Sequence, residues 1–318
     1  MPMQTDMIFD TPEERNRASS LPVSQRQLLI RNMRVPYNTY NRGLALIARL
    51  HRPMEDGLPS VGVIGGLLGD PGAGKSAVCE AYLDRFPPRD GETGREFPVL
   101  YVPSSLGGSR QRLGNKIRKA TESPHRIMSR EDPSEWSVDR VLKCKTELLI
   151  LDDAHFMFFN QRTSQIAAEL YGFVKDIIDT RRVAVLLVGE TAIDQYVHDI
   201  PAFKRRGYRS DTLHPLTDSP EDLVSFGDLL TSIDRRLPFR EPSNLKSYAE
   251  HFHRFSGGQI GFVMNLVVEA GNLAFAARSA CILIEHLREA VRPMVSPGDD
   301  TDYFGYKKPL RDKLGRQK

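Results

Sequence analysis

An α/β fold, with a parallel sheet covered by helices on both faces and followed by a small all-helical domain, is what this 318-residue sequence predicts. Three observations carry the prediction. Residues 61–68, 148–151 and 183–188 are short, continuously apolar and rich in branched side chains, the composition of strands buried on both faces. Helix-patterned segments separate them, with Ile166, Leu170, Val174 and Ile177 at helical period, and strands that alternate with helices build a parallel sheet. After about Leu216 the strand pattern stops and only helical segments follow.

Residues 1 to about 20 are polar and proline-bearing and read as a mobile arm. From Ser24 to about Leu50 the composition is helical, broken at Pro36 because proline lacks the amide proton and disfavours helix just before it. Arm and helices form an N-terminal extension, residues 1–55. The sheet domain, 56–216, starts with the strand at 61–68, a Gly-rich turn and a helix at 75–86. A second strand at 97–102 precedes a helix at 110–121, with Leu113 and Ile117 on one side and Arg112, Lys116 and Lys119 on another. In the helical domain, 217–293, Asp218 or Ser219 with Pro220 opens the first helix and Ser243 caps the second. Gly257-Gly258 breaks the chain before a third helix at 259–277, and a fourth at about 279–291 precedes Pro293. Residues 294–318 turn Gly/Asp-rich and then basic, as in a flexible tail.

Forty per cent hydrophobic and 27% charged residues are an ordinary globular composition, which excludes a fibre or bulk disorder. No apolar run approaches the roughly 20 residues of a bilayer-spanning helix. The first residues lack the basic start and apolar stretch of a secretory signal, so the cytoplasm is the expected compartment. Cys79, Cys144 and Cys281 are far apart and odd in number, fitting neither a disulfide framework nor zinc spacing; they read as small buried fillers. A net charge of +3 is too weak to argue for nucleic acid, but its distribution is uneven. Residues 104–120 carry Arg110, Arg112, Lys116, Arg118 and Lys119 with no acid, and residues 306–318 carry six Lys/Arg against Asp312 alone.

The chemistry sits in two motifs. In Gly69-Asp70-Pro71-Gly72-Ala73-Gly74-Lys75-Ser76, followed by Ala77, glycines let backbone amides turn inward around phosphate oxygens, and the next helix points its positive end at them. Lys75 bridges β- and γ-phosphates in such a loop, and Ser76 gives a hydroxyl to Mg²⁺. The pattern follows a buried strand and opens a helix, the context that it requires. The run LLILDD at 148–153 places acids at the carboxyl end of a buried strand, where ligands bind in open α/β sheets. Asp152 is placed to hold Mg²⁺ through water, and Asp153 to orient or deprotonate the attacking water; a turn-forming solvated acid is the plainer reading of Asp153. His155 reads as a local hydrogen-bonding group, since no second His or Cys stands near it at ligand spacing.

These residues carry a resemblance to the AAA+ ATPases: the Gly-rich loop as Walker A, the acidic strand end as Walker B, the helical segment after Leu216 as the lid. Within that superfamily the chain most resembles the TniB/TnsC transposition ATPases, over roughly residues 26–291. The carriers are the helix approaching Tyr37, LLILDDAH at 148–155, VLLVGET at 185–191, LPFREPSNL, and SGGQIGFVMNLVVEA. The resemblance implies a three-layer P-loop fold and a regulator that binds ATP, assembles into filaments or rings around duplex DNA, and stimulates a DDE transposase, with a possible TniQ-like adaptor. It places a sensor group at Glu190 or Thr191 and an arginine finger, acting on a neighbouring subunit, at Arg205 or Arg206; a solvated or DNA-facing basic loop is the alternative for FKRRGYRS. It puts Arg110, Arg112, Lys116 and Lys119 toward the duplex, where such contacts position without reading bases; a solvated helix face is the alternative.

Two departures stand out. Asp153 replaces the customary glutamate, which implies slow hydrolysis, and SGGQIG at 256–261 offers Gln259 where many relatives have a sensor-2 arginine. A helicase loader or initiator-like AAA+ ATPase, and a signalling switch directed at proteins, are the competing functions.

Overall fold

In a computed structural model, residues 7–54, 57–60, 62–104, 109–125, 127–128, 130–158, 164–198 and 200–305 are described. The basic residues of 306–318 lie outside them. The chain forms two compact units: Asn38–His214, and the flanking stretches Met1–Tyr37 and Pro215–Lys318 together. The N-terminal extension is therefore divided. Its first two helices, α1 (Pro12–Ser19) and α2 (Val23–Arg31), belong with the C-terminal helices, and α3 (Asn38–His51) belongs with the sheet.

The sheet unit continues with β1 (Ile64–Leu68), α4 (Lys75–Leu83), a hairpin of β2 (Arg89–Gly91) and β3 (Gly94–Glu96), β4 (Val99–Pro103), α5 (Arg110–Ala120) and α6 (Pro133–Lys143). Then come β5 (Leu148–Asp152), α7 (His155–Phe158), α8 (Ser164–Asp179), β6 (Ala184–Gly189), α9 (Ala192–His198), α10 (Pro201–Arg205) and β7 (Arg209–Thr212). Five strands make one parallel sheet in the order β4-β5-β6-β1-β7. Leu148, Leu149, Ile150 and Leu151 of β5 and Val185, Leu186, Leu187 and Val188 of β6 are wholly buried, as continuous apolar runs require. Crossover helices flank every parallel pair, so all these strands point their carboxyl ends the same way. Helix α6, not foreseen, has a legible start: Asp132 caps it, accepting from the amides of Ser134 and Glu135, with Pro133 at the first helical position.

In the helical unit the described residues 9–14 are anchored, contrary to the mobile arm expected there; residues 1–6 lie outside the described residues. Thr11 and Glu14 form a capping box at α1. The Phe9 amide donates to the Arg235 carbonyl at 2.7 Å, and Asp10 pairs with the Arg235 guanidinium. Arg26 of α2 donates to the Pro238 carbonyl at 2.9 Å and lies 4.3 Å from the Phe275 ring centroid.

The C-terminal helices are α11 (Pro220–Asp234), α12 (Ala249–Ser256), α13 (Ile260–Ala276) and α14 (Ile284–Val291). Ser219 caps α11 by accepting from the Asp222 amide, as expected. Ser243 caps nothing: its hydroxyl accepts from the Ile282 amide, its own amide donates to Asp234, and a 3-10 turn at Leu245–Tyr248 begins the next helical stretch from Asn244. Gly257 and Gly258 separate α12 from α13 at φ +57 and +75. A Cβ on Gly258 would fall 1.8 Å from the Leu216 carbonyl oxygen, a contact that only glycine permits. The expected flexible tail is in part docked, because Phe304 is wholly buried and its carbonyl accepts from Arg288. Among the described residues no single helix is long and apolar enough to cross a membrane; the stretches Leu245–Ser256 and Ile260–Ala276, apolar together, bend by 119°.

Candidate nucleotide site and basic helix

At the carboxyl end of β1 the chain turns through Gly69–Gly74, with Gly72 and Gly74 at φ +83 and +86, into α4. No side chain caps α4 and no acid stands in its first turn, and Asp70, Pro71, Ser76 and Ala77 around its start are exposed. An uncapped helix start carrying a lysine fits a phosphate chain. Lys75 Nζ donates to the carbonyls of Gly69 (2.7 Å) and Asp70 (2.9 Å). Burial pulls its pKa down, and the carboxylates of Asp152, Asp153 and Glu190 oppose that shift.

The two motifs meet at Asp152. Ser76 Oγ donates to Asp152 Oδ2 at 2.9 Å, the Tyr101 hydroxyl of β4 donates to the same oxygen, and the Asp153 amide donates to Oδ1 at 2.8 Å. Hydroxyl and carboxylate side by side are the oxygen donors that Mg²⁺ takes. Tyr101 was not foreseen; burial, then Asp152, pushes its pKa up, so it stays a proton donor. Asp153 is exposed at φ +51, a left-handed position that Asp tolerates. Burial and then Asp152 raise its pKa, and His155, Lys75 and Lys116 hold it down.

Past β6, Glu190 and Thr191 are both exposed; Glu190 lies 3.7 Å from His155 Nε2, and the Thr191 carbonyl accepts from Asp194 in the first turn of α9. No group of His, Cys, Asp and Glu that could hold a metal ion by itself occurs among the described residues. The two arginines differ. Arg206 forms an ion pair with Asp179 at the end of α8, whereas Arg205 is exposed, its Nε 3.3 Å from the Pro201 carbonyl.

Helix α5 starts at Ser109, which accepts from the Arg112 amide, and buries Leu113, Gly114 and Ile117. Its basic residues do not all face outward. Arg110 pairs with Asp132 (3.1 Å) and Glu169 (3.6 Å), and Lys116 Nζ donates to the Pro103 carbonyl at 2.6 Å, beside the acids. Arg112 and Lys119 are exposed.

A five-stranded parallel sheet with a Gly-rich loop after β1 and a carboxylate at the end of β5 defines a P-loop nucleoside-triphosphatase fold of AAA+ type. Residues 31–215 match the family model described as "Bacterial TniB protein". That is more than half of the chain, and the chain belongs to the TniB family. Among solved structures it is similar to the ORC2 protein of Aeropyrum pernix in its ADPNP-ADP complexes, with 16% identity and a TM-score of 0.62 over 81% of this chain and 69% of that one. It is similar to Cdc6p of Pyrobaculum aerophilum, with 16% identity and a TM-score of 0.59 over 84% and 69%. The Aeropyrum pernix ORC1 protein in complex with DNA gives 18% and 0.58 over 82% and 66%. At these identities the likeness shows the fold, and it bears out the predicted α/β class. A comparison with curated proteins finds no match.

Proposed function

We propose that this chain is an ATP-dependent regulator of DNA transposition, which assembles on duplex DNA without strong sequence specificity and recruits and stimulates a DDE transposase. The observation that carries the ATPase reading is the Ser76–Asp152 hydrogen bond, which joins the phosphate loop to the acidic strand end at the mouth of the sheet. Membership of the TniB family supports the transposition reading.

In this reading the amides of residues 69–77 cradle the phosphates, and Lys75 leaves the Gly69 and Asp70 carbonyls for the β- and γ-oxygens. Ser76 and Asp152 would hold Mg²⁺, which would supply charge neutralisation at those oxygens, while Tyr101 fixes the Asp152 carboxylate. Asp153 orients the attacking water and takes its proton, Thr191 senses the γ-phosphate, and Arg205 completes a neighbour's site while Arg206 anchors its loop on Asp179. A base must be ionised to work, so hydrolysis falls as pH drops through the Asp153 pKa, which lies above the ordinary 3.8. Lys116 holds that pKa down. Lys116→Gln is therefore expected to move the acid limb of the pH–rate profile to higher pH, and a limb that stays put or moves down would reject Asp153 as the base.

The deciding experiment is fluorescence anisotropy of a random-sequence duplex titrated with protein under ATP, ADP or no nucleotide. Cooperative binding with ATP alone supports the reading; binding in no condition removes it and leaves a protein-directed switch. Arg112→Ala and Lys119→Ala should each lower the slope of log affinity against log salt by about 0.9, one phosphate contact apiece; an unchanged slope for both takes α5 off the DNA. The fold shared with the ORC and Cdc6 proteins favours an initiator-like or loader ATPase as the second reading. Single-strand preference with capture of a hexameric helicase would select it.

A further inference from the structure

The Asp152 carboxylate is buried, and among the described residues three groups donate to it. Ser76 Oγ, in the first turn of α4, and the Tyr101 hydroxyl share Oδ2, while the Asp153 amide takes Oδ1. A carboxylate offers about four acceptor sites, two on each oxygen. Oδ2 is therefore filled, and the open site is on Oδ1. Oδ2 is also the oxygen bonded to Ser76, so it is the one nearest an ion held by that hydroxyl.

Tyr101 alone of the three donors comes from a separate strand. Tyr101 of β4 pairs with Ile150 of β5, and Pro103 pairs with Asp152. Ile150 and Asp152 are two residues apart, so Tyr101 and Asp152 share one face of the sheet. The Tyr101 hydroxyl also meets the Ser76 hydroxyl, and burial, then Asp152, keep its proton on. Its hold on Oδ2 is thus permanent at any working pH.

Divalent ions differ in what they ask of a carboxylate. Mg²⁺ is small, octahedral and slow to give up its water, whereas Ca²⁺ takes more oxygens in looser geometry and binds carboxylates directly. A carboxylate whose near oxygen is filled suits an ion that keeps its water. We propose that Tyr101 is a positioning residue that sets the metal preference of the nucleotide site: by filling Asp152 Oδ2 it reserves the carboxylate for hydrated Mg²⁺ and disfavours Ca²⁺. This rests on the reading of Ser76 and Asp152 as the residues that hold the metal.

The test measures the affinity of the full chain for labelled adenosine diphosphate by anisotropy, in chelator, in Mg²⁺ and in Ca²⁺. In the parent, Mg²⁺ should strengthen binding more than Ca²⁺ does. Tyr101→Phe keeps the ring and removes the hydroxyl, and it should raise the Ca²⁺ effect relative to the Mg²⁺ effect about tenfold, the size expected when a partner of a metal-holding group is lost. Tyr101→Met, which also lacks the hydroxyl, should give the same ratio. A merely structural tyrosine would lower all three affinities together and leave the ratio in place. A ratio within about twofold of the parent overturns the proposal. So does a parent that prefers Ca²⁺, a result that needs no variant. A parent whose affinity answers to neither ion removes the metal reading of Ser76 and Asp152 itself, and this inference with it.

Discussion

Lys75→Ala is expected to lower ATP hydrolysis by about 10²–10³-fold, the size of effect seen when a preorganised donor to developing charge is removed. Its ammonium rests on the Gly69 and Asp70 carbonyls, and Lys75 itself opens the uncapped α4. Neither carbonyl holds it as a phosphate would, because two neutral acceptors give less than a charged one. Steady-state phosphate release measures the rate, and anisotropy of a labelled adenine nucleotide measures affinity. Hydrolysis within about threefold of the parent would place the phosphates elsewhere and undo the assignment. The same variant should lose ATP-dependent binding to duplex DNA, which ties the two activities to one site.

Gly258→Val is expected to destabilise the helical unit by about 3 kcal/mol or more, read from urea unfolding. A left-handed φ costs a residue with a Cβ roughly 1–2 kcal/mol. Here the Cβ would also sit 1.8 Å from the Leu216 carbonyl oxygen, a backbone atom that cannot rotate away and whose own amide is bonded to the Gly258 carbonyl at 3.1 Å. Gly257 provides the control. It has φ +57 and nothing within 4 Å of its Cβ position, so Gly257→Ala should cost only the left-handed penalty. Equal costs at the two glycines would mean that the Leu216 contact does not constrain the turn.

Burial and punctuation decided what could be read from the sequence. The strands β1, β5 and β6 lie in the middle of the sheet, and their uninterrupted apolar runs announced them. Strand β7, Arg-Ser-Asp-Thr, is a polar edge and gave no such signal, and β2 and β3 are three residues each. The arm looked mobile because its anchors lie far along the chain: Asp10 and Arg235 are 225 residues apart. The phosphate loop and its acids were legible because their spacing is tied to chemistry. Tyr101 was hidden, since a tyrosine on an apolar strand looks like core until the register sets its strand beside Asp152. Sequence spacing puts Lys116 with Arg112 and Lys119 on one face of α5, and the fold adds that the Lys116 ammonium rests on the Pro103 carbonyl.

The divided helical unit has a consequence in time. Residues 38–214 leave the ribosome complete, with every strand of the main sheet already made. The stretch that holds Asp10 must wait for Arg235, and at 5–20 residues per second that separation of 225 residues is a delay of about 10–45 s. Throughout it the nucleotide unit can fold and bind ligand, while α1 and α2 hang unpartnered from its start. The chain is thus built to finish its phosphate-binding unit first and its divided helical unit last.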